Sequence, residues 1–164
     1  MIRRQLKSIA APLLALLLLV AGFAPALAAD PPNFAGAWVF NPDKGENLGM
    51  GAGVKETVTI TQTPQLMTLD FSASFMGKTS LRKVTYDLAG KSVPNEGPMG
   101  GKADTVAKWA GAKLVTVWTS EGAIPGTRTE KTESRVLSAD GKTMTVSTVT
   151  GAKPPVVRVY EKQQ

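Results

Sequence analysis

Apolar and polar residues alternate one by one along most of this sequence, and turn signals containing Gly or Pro recur about every 8–12 residues. Residues 66–74 are the clearest case, because Met67, Leu69 and Phe71 alternate there with Thr, Asp and Ser. A period of two places successive side chains on opposite faces of a strand, whereas an amphipathic helix needs apolar residues every three or four positions. The pattern predicts an all-β fold, an antiparallel up-and-down meander of about 8–10 strands closed into a barrel.

The predicted strands are short, and one of them determines the direction of the strands that follow it. Leu81 is out of phase with Val84 and Tyr86, which indicates a β-bulge. A strand at 92–94 has only three residues, and the direction of every later strand depends on it. The predicted strands cover residues 35–40, 55–61, 66–74, 79–88, 92–94, 102–109, 113–121, 127–137, 143–150 and 156–162.

The connections divide into two kinds. Tight turns at 63–65, 88–91, 109–113 and 139–142 resemble hairpin turns, and three of them centre on Gly. In a strict meander these four turns lie at one end of the barrel. The irregular connections then meet at the other end and form its mouth, and they comprise residues 41–53, 75–78, 95–101, 122–126 and 151–155.

The first residues have the three parts of an export signal. Arg3, Arg4 and Lys7 precede the apolar run 13–20, and Ala26 and Ala28 form an A-x-A cleavage site. We predict a cleaved signal peptide at 1–28 and a single domain at 29–164. We then expect the mature protein to be periplasmic or secreted and monomeric, with no stable membrane insertion after cleavage.

Charge and residue usage argue against several functions. The leader holds three of the 19 basic residues and none of the 13 acidic ones, so the mature net charge falls from +6 to +3. Basic residues are scattered rather than clustered, which predicts no nucleic-acid binding. The chain contains no His and no Cys, so no catalytic triad, cofactor or metal site is predicted. Glu130 and Glu133 are predicted to be surface residues. We predict that the protein is not an enzyme; an isomerase or cyclase would require a buried acid beside an aromatic residue.

The first predicted strand carries a recognisable motif. Phe34, Gly36, Trp38 and Asn41 form Phe-x-Gly-x-Trp-x-x-Asn, which resembles the Gly-x-Trp start of lipocalin-like (calycin) barrels and the start of intracellular fatty-acid-binding proteins. The resemblance implies a lipocalin-like barrel in which Gly36 permits close approach at the floor and Trp38 plugs it. It also implies a structural Arg from the last strand over that Trp, and Arg158 is the matching position.

The predicted interior and mouth suggest a binding protein for a small apolar or amphipathic molecule. Inward aromatic side chains can line a cavity or fill the barrel as a solid core. In the second case the protein would be an envelope structural or protein-interaction module, and a cavity of about 300 Å³ or more would favour the binding function. Arg128 and Arg158 either meet an acidic head group or remain solvated and structural. The candidate ligand-binding residues are the aromatics Trp38, Phe71, Phe75, Tyr86 and Trp118 and the mouth methionines Met50, Met76 and Met99.

Overall fold

The computed structural model describes residues 30–97 and 101–164. The predicted signal peptide therefore lies outside the described residues. Within the described ranges no helix is long and apolar enough to cross a membrane. The described residues form one 3₁₀ helix, Gly49–Gly53, and ten strands. The strands are β1 (Gly36–Glu46), β2 (Lys55–Gln62), β3 (Leu66–Phe75), β4 (Lys78–Asp87), β5 (Val93–Glu96), β6 (Lys102–Ala110), β7 (Lys113–Glu121), β8 (Arg128–Leu137), β9 (Thr143–Thr150) and β10 (Val156–Lys162).

The ten strands form one antiparallel sheet in the order β4-β3-β2-β1-β10-β9-β8-β7-β6-β5. Consecutive strands pair throughout, apart from β4 and β5, and the pairing of β1 with β10 joins the two ends of the chain. The predicted all-β meander barrel is confirmed. Strand β5 exists, so the tight turns do lie at one end and the irregular connections at the other.

Alternation along each strand separates the core from solvent. In β2, Glu56, Val58 and Ile60 are buried while the intervening Thr57 and Thr59 are exposed. The same period of two buries alternate residues of β3, β4, β6, β7 and β9. One face of the curved sheet therefore encloses the interior, as expected for an antiparallel sheet with one wet face.

Aromatic side chains close the end of the barrel that carries the tight turns. Phe34 precedes β1, is fully buried, and stacks on Trp109 of β6 with ring centroids 6.1 Å apart. The Gln62 side chain fixes this segment, since it accepts a hydrogen bond from the Phe34 N–H and donates one to the Pro32 carbonyl. The buried Trp38 donates its indole N–H to the Phe34 carbonyl at 2.9 Å. Phe34 and Trp38 together form the floor.

The cation beside Trp38 is not the one predicted from the family resemblance. Lys162 pairs directly with Trp38 in the β1–β10 register, and its Nζ lies 5.4 Å from the Trp38 ring centroid. Arg158 lies instead over Phe40, at 5.2 Å. The predicted contact of Arg158 with Trp38 is wrong because the register puts Arg158 four residues nearer the mouth. Gly36 has a φ of +132°, and a Cβ there would lie 2.8 Å from Cε of Lys162, so Gly36 makes room for the lysine chain.

Two local predictions also need correction. Strand β1 runs to Glu46 rather than ending at residue 40, because pairing with β10 resumes at Glu46 after an irregularity that follows Asn41. The bulge predicted at Leu81 is absent, since the β3–β4 register runs without a shift from Leu66 to Phe75. Leu81 simply points outward and is 80% exposed.

The seam between β4 and β5 is closed by a side chain. The Thr85 N–H donates to Oδ1 of Asn95 at 2.8 Å, and Nδ2 of Asn95 donates to the Thr85 carbonyl at 2.8 Å. Nδ2 also donates to Oγ1 of Thr105 at 2.6 Å. The carboxamide of Asn95 thus satisfies both backbone groups of Thr85 as a neighbouring strand would, and it connects β4 to β5 and β6.

We expect Asn95→Ala to lower the free energy of unfolding by about 2 kcal/mol, because it removes three part-buried hydrogen bonds and leaves the Thr85 backbone unsatisfied. Glu96→Ala, at the next and exposed position of β5, should change it by less than about 0.5 kcal/mol. Urea denaturation followed by circular dichroism measures both. Equal effects of the two substitutions would contradict a closing role for Asn95.

Candidate ligand-binding cavity

A cavity of about 670 Å³ lies inside the barrel and reaches the mouth beside the 3₁₀ helix. This volume exceeds the value of about 300 Å³ that separates a binding cavity from a filled core, and it falls within the range of small-molecule sites. Met50, Gly51 and Lys78 mark its outer part. Its apolar wall includes Val58, Leu69, Phe71, Ala73, Met144, Val146 and Val156.

The structure brings together five of the predicted site residues and separates the others. Four aromatics and one methionine line the cavity, and they are Phe71, Phe75, Tyr86, Trp118 and Met50. Trp38 does not line it, contrary to prediction, because its indole is fully buried in the floor against Phe34. Met76 lies in the β3–β4 turn, 86% exposed, and also falls outside the lining. Met99 lies outside the described residues.

The inward face of β8 carries charged side chains, and sequence analysis had assigned one of them, Glu133, to the surface. Lys131, Glu133 and Arg135 all line the cavity, and we call them the β8 triplet. Lys131 and Glu133 form an ion pair at 2.9 Å, and Glu133 is only 15% exposed, so the prediction of a surface Glu133 is wrong. Arg128, at the outer end of β8, is exposed.

A signal for these inward charges was present in the sequence. The β8 triplet shares the phase of Leu137, which packs against the core. Glu56 likewise shares the phase of Val58 and Ile60, and Arg82 shares that of Val84. Phase assigns a side chain to a face irrespective of its polarity. Giving the phase precedence over the charge would have found them.

Three of the inward cations lie against aromatic rings of the cavity wall. Arg82 lies 4.3 Å from the Phe71 centroid, and Lys131 lies 4.4 Å from the Trp118 centroid. Arg135 lies 5.8 Å from the centroid of Tyr86. Cation–π attraction compensates part of the lost hydration of each cation while keeping its position fixed. The aromatics predicted as ligand contacts therefore also hold the cations.

Arg135 is the least satisfied of these cations. It is only 4% exposed, and neither its Nε nor its Nη1 has a hydrogen-bond partner among the described residues. The indole nitrogen of Trp118 and the hydroxyl of Thr116, both on the adjacent β7, are buried without a partner as well. Buried donors without acceptors are rare in native proteins. Because Arg135 and Trp118 line the cavity, their vacant donors are open to an acceptor group of a ligand.

Charge coupling around the β8 triplet determines its ionisation. Burial raises the pKa of Glu133, but the positive charges of Lys131 and Arg135 outweigh it, so the pKa lies below its usual value. Burial, reinforced by the Glu133 charge, raises the pKa of Tyr86 to about 12. At neutral pH Glu133 is therefore ionised and Tyr86 is neutral, and both lie beside the basic side chains of Lys131 and Arg135.

A second cation inside the cavity already has an acidic partner. Nη1 of Arg158 donates to Oε1 of Glu56 at 3.1 Å, and the Tyr160 hydroxyl donates to the same oxygen at 2.5 Å. Glu56 is buried on β2, and the other two residues lie on β10. Burial and the nearby Glu56 charge raise the pKa of Tyr160, so its phenol remains a donor.

Another hollow, of about 1040 Å³, opens at the outer rim near β5 and β6. Its lining is rich in polar and charged side chains, among them Lys83, Glu96, Asp104 and Arg128. It contains none of the predicted aromatic residues. The interior cavity, with its apolar wall and fixed cations, is the better candidate for a site.

Comparison with known proteins identifies the fold. No protein-family model and no curated protein match this sequence. The structure is similar to that of the REP1-NXSQ fatty acid transporter, with a TM-score of 0.61, 17% identity, and coverage of 79% of this chain and 96% of that one. A Schistosoma mansoni fatty acid binding protein in complex with arachidonic acid has a TM-score of 0.60 and 20% identity, covering 80% and 96%. Human cRBP IV has a TM-score of 0.59 and 12% identity, covering 81% and 100%.

These similarities show that the chain has the fold of the fatty-acid-binding barrels. The predicted lipocalin-like (calycin) architecture is therefore confirmed as a fold. The Gly-x-Trp motif itself remains a resemblance.

An alkaline titration tests the placement of the tyrosines. Tyr86 and Tyr160 are the only two in the chain, and each has a pKa raised by burial. Unfolded tyrosine ionises near pH 10.0, so this contribution to stability is complete below pH 10 and is lost as the pH rises towards about 12. Absorbance at 295 nm should show no tyrosinate until circular dichroism reports cooperative unfolding. Gradual ionisation centred on pH 10 in a protein that stays folded would contradict the burial of both phenols.

Proposed function

We propose that this protein is an exported, monomeric binding protein that holds a small amphipathic molecule in its barrel, with an acidic head group at Arg135. The observation that carries this proposal is the buried guanidinium of Arg135, whose Nε and Nη1 have no hydrogen-bond partner among the described residues. A carboxylate oxygen is the charged acceptor that a vacant guanidinium N–H lacks, and the divergent Nε and Nη1 donors of Arg135 each offer one. The Trp118 indole N–H lies on the neighbouring strand as a further donor.

The rest of the cavity supports an apolar body attached to that head group. Its wall is mainly aliphatic and aromatic, while its lining contains five basic and two acidic residues. This excess of positive charge attracts an anion and repels a cation. The structural neighbours include a fatty acid transporter and a fatty acid binding protein, which supports a ligand of this class and a role other than catalysis. No observation favours the filled structural module.

Binding experiments test the head-group assignment. We expect Arg135→Met to weaken binding of hexadecanoate by about tenfold or more, because a charge-assisted hydrogen-bonded pair is lost. Binding of hexadecanol, which lacks the charge, should change little. Isothermal titration calorimetry on the mature protein, residues 29–164, measures both affinities.

Arg128→Met is the matched control, since Arg128 lies on the same strand with its side chain exposed. It should leave both affinities unchanged. Equal loss of acid and alcohol binding in Arg135→Met would show that Arg135 only shapes the cavity. If the unsubstituted protein takes up neither probe, the carrier function is wrong, and a search for a protein partner becomes the next step.

Export is supported by the leader alone and has its own test. Expression of the full chain in a Gram-negative host should place in the periplasm a protein that begins at Ala29. N-terminal sequencing of that fraction checks the cleavage position. Retention of the intact chain in the cytoplasm would contradict export.

A further inference from the structure

We propose that Glu56 is a built-in carboxylate that occupies a second acid-binding site in the cavity and so restricts the ligand to a single acidic group. This inference rests on the proposed function, because it concerns which amphiphiles the same cavity accepts. It assigns to Glu56 a role in specificity.

Arg158 and Tyr160 have the arrangement of a carboxylate-binding site. A guanidinium N–H and a phenol O–H converge on one oxygen, Oε1 of Glu56, at 3.1 and 2.5 Å. These two donors come from β10, whereas Glu56 comes from β2, on the far side of β1. Glu56 is 8% exposed and lines the cavity together with both donors. The donors therefore face the space where a ligand would lie, and the chain itself provides the acid.

The sheet register places this occupied site beside the vacant one. Val146 of β9 pairs with Arg135 on one side and with Arg158 on the other. Neighbouring strands lie about 4.8 Å apart, so the two arginines leave the sheet about 10 Å from each other and both enter the same cavity. A head group with two carboxylates at one end could reach both of them if the second site were free.

Ion pairing inside the cavity leaves the two sites unequal. Glu56 neutralises Arg158, and Glu133 pairs with Lys131 at 2.9 Å. Arg135 keeps its vacant donors. A second carboxylate directed at Arg158 would meet the negative charge of Glu56 beside a cation that Glu56 already neutralises, which is unfavourable. Glu56 therefore rejects a diacid while leaving the Arg135 site open.

A pair of probes with the same tail separates the two sites. Dodecanoate carries one carboxylate, and dodecylsuccinate carries two at the same end. We expect the unsubstituted protein to prefer dodecanoate, and Glu56→Gln to bind dodecylsuccinate about tenfold more tightly than the unsubstituted protein does. Adding Arg158→Met to Glu56→Gln should remove this gain. Glu130→Gln, at an exposed position of β8, is the charge-matched control and should leave the preference unchanged.

A rescue experiment tests the second site without a lipid ligand. Glu56→Ala removes the internal carboxylate and leaves Arg158 and Tyr160 facing a gap. We expect acetate to raise the melting temperature of Glu56→Ala more than chloride at the same ionic strength. Neither the unsubstituted protein nor the double variant Glu56→Ala, Arg158→Met should respond in this way.

The outcomes distinguish this inference from the function on which it rests. Failure of the unsubstituted protein to bind dodecanoate refutes the carrier function, whereas acetate rescue still reports the second site. Normal dodecanoate binding without a gain in Glu56→Gln overturns the specificity role and leaves the carrier function standing. If Glu56→Gln does not fold, the acetate rescue of Glu56→Ala tests the second site instead. A Glu56→Ala protein that acetate fails to stabilise would show that Glu56 only holds the strands together.

Discussion

Pairing between the first and last strands is the constraint on which the rest of this structure depends. It joins β1 to β10, turns a ten-stranded meander into a barrel, and leaves a single seam that the Asn95 side chain closes. The same pairing brings Lys162 over Trp38 at the floor. It also brings Arg158 and Tyr160 within reach of Glu56 on the other side of β1. Without the pairing of β1 with β10, water would reach the inward face of every strand. The charged residues on that face would then be hydrated and would need no partners.

Charged residues enclosed in this way determine what the cavity can do. A buried charge is costly unless an opposite charge, hydrogen bonds or an aromatic face compensates for it. The chain supplies such compensation to Lys131 through Glu133 and to Arg158 through Glu56. Arg135 receives the face of Tyr86 and the nearby charge of Glu133, but its Nε and Nη1 have no hydrogen-bond partner among the described residues. Arg158 and Arg135 are the same kind of side chain, but only Arg158 forms an ion pair within the described part of the chain. Arg158 therefore belongs to a structural pair, whereas Arg135 is the candidate ligand site.

The sequence predicted the architecture well because period-two alternation and tight turns are local signals. Even the short β5 was found, although its predicted boundary ended two residues early. The site was predicted less well. Aromatic residues such as Tyr86 and Trp118 were assigned to the interior, whereas Glu133 was assigned to the surface because charged residues are rarely buried. That general tendency conflicted with the phase of β8, and the phase was correct.

The order of the strands, the wet outer face and the division between tight turns and irregular connections follow from the sequence alone, since each depends on neighbouring residues. Two features required the tertiary structure. One is the cavity, because alternation specifies which side chains face inward but not whether they fill the space between them. The other is the pairing of those side chains. Glu56 and Arg158 are 102 positions apart in the sequence, and only barrel closure and register determine that they meet. The same closure leaves Nε and Nη1 of Arg135 without a hydrogen-bond partner among the described residues.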